Sequence, residues 1–97
     1  MSQPVLRRIL LVTDPAGVHA RTAVAIAELA RRHGATITLS KGGQQAAATD
    51  VLQIMSLAVC EGETLEVEVS GNHAAEVLET LAQFLAGKLD EETKPSA

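Results

Sequence analysis

The run Asp14-Pro15-Ala16-Gly17-Val18-His19-Ala20-Arg21 places a histidine and an arginine where a turn feeds a helical pattern. A helix start leaves backbone N–H groups unpaired and carries partial positive charge, so it can hold a phosphate or a similar anion. No Ser, Thr, Asp or Asn directly precedes Ala20 to cap those groups. Gly17 permits a tight backbone approach. A neutral His19 ring has a lone pair for nucleophilic attack, and Arg21 adds fixed charge that offsets a phosphoryl group. From residue types alone, the commoner description of a histidine at a loop end is an ordinary helix start, here with Asp14 or Thr22 as its cap.

Other chemistry-bearing residues are weaker candidates. His33 and His73 sit at a helix end and a helix start with no Asp, Glu or Cys at metal-ligand spacing, so they read as surface residues and no metal is expected. Cys60 is the only cysteine, so no intrachain disulfide can form, and with no basic activator nearby it reads as a buried or idle thiol. Asp50 followed by Gln53 resembles a capping box.

The elements that must position these residues follow from periodicity. Arg8 to Thr13 reads as a strand ended by Asp14-Pro15, and Ala20 to about Arg32 as an amphipathic helix stopped at His33-Gly34. Ala35 to Ser40 alternates as a strand with one wet face, Gly42-Gly43 turns, and Gln44 to Ala48 returns as an edge. A short helix covers Val51 to about Ala58. Thr64 to Ser70 sets Leu65, Val67 and Val69 against Glu66 and Glu68 on opposite faces. A last helix covers about His73 to Lys88 with Leu78, Leu81 and Leu85 on its apolar face. The order βαββαβα predicts an α+β open-faced sandwich, a four-stranded antiparallel sheet with three helices on one face.

Composition narrows the function classes. The chain of 97 residues carries formal charge -4 and a pI near 5.2, which argues against nucleic acid, where Lys and Arg clusters neutralise phosphates. Phe84 is the only aromatic, so base-stacking platforms are missing and the core must be aliphatic. The apolar run Ile9 to Val12 is too short for a signal h-region or a membrane span, so a cytoplasmic protein with no membrane insertion is expected. One domain over 1–97 is expected, its core at about 7–89 and a charged, flexible tail at 90–97.

GVHARTA resembles the active-site stretch of HPr phosphocarriers, usually GLHARPA, and the likeness runs from about Thr13 to Leu89. DVLQIMSLAVCEGETLEVEVSG is similar to that family's second-helix and last-strand segment, in unchanged register. The resemblance implies a bacterial phosphocarrier of the phosphotransferase system that drives sugar transport. His19 would take the phosphoryl group on Nδ1, with Arg21 beside it and Gly17, Ala20 and Arg21 holding the phosphate. Enzyme I would be the donor and a IIA-type domain the acceptor. Val24, Val51, Leu52, Met55 and Val59 would dock partners. No cofactor is implied, the chain is expected to act as a monomer, and it is a carrier, not an enzyme.

Two positions depart from the pattern. Thr22 replaces the usual proline, which should loosen the helix start slightly and could bring a hydroxyl near the phosphate. Asp50 replaces the serine that a dedicated kinase phosphorylates in many relatives, so that input should be absent, and the carboxylate serves as a helix cap or, more weakly, as a phosphoserine mimic. The alternative function is a regulatory HPr-like paralogue acting by protein binding in a nitrogen-linked or other signalling branch.

Overall fold

The computed structural model describes residues 5–89. The elements are β1 (Val5–Leu11), α1 (Ala20–His33), β2 (Thr36–Lys41), β3 (Gln44–Ala47), α2 (Val51–Ser56), β4 (Thr64–Ser70) and α3 (Ala74–Leu85). They form one antiparallel sheet in the order β1-β4-β2-β3 with the helices over one face, as the alternating strands require. β4 lies between β1 and β2, pairing Leu10 with Leu65 on one side and Leu39 with Val67 on the other. Leu65, Val67 and Val69 are fully buried. Each such side chain stabilises the fold by roughly 1.5–3 kcal/mol. Phe84, Ile26, Leu29 and Leu81 close the core from the helix side.

Several boundaries differ from the sequence expectation. β1 begins at Val5 because Val5 pairs with Ser70 at the far end of β4, a partner that local pattern does not reveal. α2 stops at Ser56, and Ala58 adopts a left-handed φ of 52°. The Lys41 ammonium donates to the Ala58 carbonyl at 2.8 Å, which anchors that turn from β2. α3 ends at Leu85, three residues before Lys88. Its Leu85 carbonyl accepts the N–H groups of Thr13 and Asp14, both at 3.1 Å, so the end of α3 is tied to the loop after β1. The expected tail at 90–97 lies outside the described residues.

The capping box at α2 is only half formed. Asp50 Oδ1 accepts the Gln53 N–H at 3.1 Å. Gln53 does not return the bond, because its Oε1 accepts the Ala47 N–H at 2.9 Å and clips α2 to β3. Cys60 is exposed, which excludes the buried alternative for its thiol.

Candidate functional site

His19 is the N-cap residue of α1, with extended backbone, and its side chain makes no capping bond. Neither Asp14 nor Thr22 caps this helix. Asp14 Oδ1 instead accepts the Ala16 N–H at 3.0 Å and its carbonyl accepts the Gly17 N–H at 2.8 Å, which folds the loop on itself. The helix start is held by backbone: the Val18 N–H donates to the Val59 carbonyl at 3.0 Å in the loop before β4. That second loop is in turn fixed at Glu63, whose Oε1 accepts from Lys41 Nζ at 2.9 Å and from the Cys60 N–H at 2.7 Å. The lysine hydrogen bond first, then the Cys60 N–H, hold the Glu63 carboxyl below its ordinary value of 4.5.

Gly17 has a φ of 67° and lies against the neighbouring backbone, where a Cβ would stand 2.6 Å from the Val59 carbonyl oxygen. Its N–H donates to the Asp14 carbonyl, so what the structure shows at Gly17 is a packing role. The first-turn N–H groups from Ala20 onward have no intrahelical partners and no side-chain cap. Arg21 is exposed and, among the described residues, its guanidinium makes no hydrogen bond or ion pair.

The His19 ring has two different nitrogens. Nε2 lies 3.0 Å from Thr22 Oγ1 and 3.7 Å from Asp14 Oδ2. Nδ1 has no partner among the described residues. The ring is partly exposed, while the Asp14 side chain is only 15% exposed. Thr22 is fully buried, so its hydroxyl serves the ring and not a phosphate at the surface. Nδ1 is therefore the ring nitrogen left open, on the N-cap residue of an uncapped helix and two residues before the free Arg21 guanidinium. Sequence reasoning missed both Nε2 partners; the placement of Thr22 three residues past the N-cap, the spacing at which helix neighbours meet, was the available signal.

The apolar docking candidates divide. Val24, Leu52 and Met55 are exposed large hydrophobics, with Leu52 at 77%, and Val51 is half-buried against the core. Val59 is buried in the core, so its side chain is withdrawn from any docking surface; only its carbonyl serves the loop. The His33 and His73 rings, distant in sequence, meet with centroids 5.9 Å apart, and His73 Nδ1 stands 3.6 Å from Glu76. Among the described residues, no group of three potential metal ligands forms. No helix of the described residues is long and apolar enough to cross a membrane.

Residues 6–87 match the family described as PTS HPr component phosphorylation site. Phosphocarrier protein HPr of Xylella fastidiosa is 25% identical over 89 residues, covering 92% of this chain and all of that protein. Phosphocarrier protein NPr of Shewanella violacea is 31% identical over 86 residues, covering 89% of this chain and 94% of the relative. The crystal structure of a phosphocarrier protein HPr from Bacillus anthracis superposes with a TM-score of 0.76 at 31% identity, over 82% of this chain and 95% of the other.

Proposed function

The chain belongs to the HPr family of phosphocarriers of the phosphotransferase system, and from that membership we propose that His19 Nδ1 takes a phosphoryl group from phospho-enzyme I and passes it to a IIA-type domain. The chain acts in this reading as one cytoplasmic, monomeric domain and a stoichiometric intermediate. The observation that carries the proposal is the unpartnered Nδ1 at an uncapped helix start. Its lone pair attacks phosphorus, the bond from phosphorus to the donor nitrogen breaks, and the electron pair of that bond leaves with the donor. The first-turn N–H groups and the Arg21 guanidinium offset the charge of the arriving phosphoryl oxygens. Val24, Leu52 and Met55, with the half-buried Val51, give the donor and acceptor an apolar surface.

The test is incubation with phosphoenolpyruvate and enzyme I, followed by location of acid-labile phosphate. His19→Ala loses all labelling, while His33→Ala and His73→Ala keep it. Full labelling of His19→Ala would refute the assignment. A second reading, the regulatory paralogue in a nitrogen-linked or other branch, draws on Asp50 in the regulatory-serine position and on the likeness to an NPr. It predicts binding to a partner that persists in His19→Ala.

A further inference from the structure

The ring of His19 is gripped at one nitrogen only. Thr22 Oγ1 stands 3.0 Å from Nε2, and Thr22 is wholly buried, so its hydroxyl has no water to turn to. Asp14 Oδ2 stands 3.7 Å from the same nitrogen. The Asp14 carboxylate is itself held: its other oxygen accepts the Ala16 N–H, its backbone N–H donates to Leu85 at the end of α3, and Gly87 lies against its side chain so closely that a Cβ there would come within 3.1 Å of Asp14 Cγ. The carboxylate favours hydrogen on the nitrogen it faces, since a lone pair there would meet its negative charge, and the Thr22 oxygen can accept that hydrogen.

We infer that Asp14 and Thr22 are positioning residues for phosphoryl transfer, fixing the His19 ring in the Nε2–H tautomer so that the lone pair lies on Nδ1. The tautomer is inferred from the carboxylate that faces Nε2; its consequence for transfer rests on the function proposed above. When Nδ1 bonds to phosphorus and the bond from phosphorus to the donor nitrogen breaks, the proton stays on Nε2 and the ring takes on positive charge. Asp14 offsets that charge. When the phosphoryl group moves on, the bond's electron pair returns to Nδ1 and the neutral tautomer is restored. Thr22 thus acts behind the ring, on the side away from the phosphate, where a proline could donate or accept nothing from its side chain.

The decisive observable is the pair of ring ¹⁵N shifts of His19, read from long-range ¹H–¹⁵N correlation spectra of the full chain. Wild type shows the Nε2–H form as the dominant neutral tautomer. Thr22→Val keeps the buried volume and removes the hydroxyl, and Asp14→Asn removes charge while keeping an oxygen for the Ala16 N–H. Each shifts the tautomer ratio toward Nδ1–H by roughly fivefold, the worth of one hydrogen bond. Thr22→Ser restores the ratio. Phosphorylation by enzyme I slows in parallel while thermal stability changes little.

A dominant Nδ1–H form in wild type, or an unchanged ratio in the double variant, overturns the inference. So does a shifted ratio with an unchanged transfer rate. Failure of the function looks different: the tautomer responds to both substitutions as described, but no variant and no wild type accepts phosphate, which leaves the clamp in place and removes its purpose.

Discussion

Two helix starts in this small protein are built in opposite ways. α2 begins at Asp50, whose carboxylate accepts the Gln53 N–H and satisfies the helix from its own side chain. α1 begins at His19, which caps nothing, and its position is set from behind by Gly17, by the Val18 bond to Val59 and by the Asp14 turn. The first arrangement spends its polar group on stability. The second leaves donors open, a state that nature tolerates where an anion is to be bound. The α1 start can do without a cap because the surrounding backbone holds it.

That contrast can be broken from either side, and the largest stability effect is expected at Gly17. Gly17→Ala must hold a left-handed backbone and bring its Cβ to 2.6 Å from the Val59 carbonyl. Chemical denaturation should show a loss of about 2 kcal/mol or more, together with impaired phosphorylation. Wild-type stability in this variant would mean that the α1 start is not held by the Val59 loop.

Arg21→Ala should separate function from fold. With no partner for its guanidinium among the described residues, melting temperature is expected to stay near wild type. Phosphoryl transfer should slow by about tenfold, on the order of 1.4 kcal/mol in the barrier. An equal transfer rate would leave Arg21 without a role at the site.

Asp50→Ala should show the reverse pattern: a loss of about 1 kcal/mol from the missing cap, with His19 still charged. Asp50→Ser keeps a capping oxygen and should change stability by about 1 kcal/mol or less. It also creates a hydroxyl, so a serine-directed HPr kinase with radioactive ATP should label the variant and not the wild type. Labelling of wild type at Thr49 or Ser56 would contradict the absence of this input.

The smallest effect is expected at Glu63, in the loop that supports the α1 start. Its folded value lies below 4.5, so its stabilising contribution is complete above that pH and is lost as pH falls through the lowered value. Because the pair is only partly buried, the effect should be small and salt-sensitive. Glu63→Gln should flatten this part of the acid stability curve, as thermal melts between neutral pH and the acid limb would show.

The legible part of this molecule was the part governed by local period. The alternation of Leu65, Val67 and Val69 with Glu66 and Glu68 set β4 to its observed ends, and the stripe from Ala23 to Ala30 set α1. The misplaced boundaries are those set by distant partners. Ser70 extends β1 to Val5, Lys41 reaches the turn that closes α2, and the loop at Thr13 and Asp14 draws off the Leu85 carbonyl at the end of α3. The site divides in the same way. His19 and Arg21 were visible as a motif, but the grip on Nε2 requires Asp14 to be held against Leu85 and Gly87 and Thr22 to be buried in the core, and neither fact is local.

The most direct measurement of the central claim is a ³¹P–¹⁵N correlation on the uniformly ¹⁵N-labelled chain after charging by phosphoenolpyruvate and enzyme I. The expected result is a single phosphoramidate whose phosphorus couples to Nδ1 of His19, with hydrogen retained on Nε2. Phosphorus coupled to Nε2, or a phosphate on any residue other than His19, would contradict it.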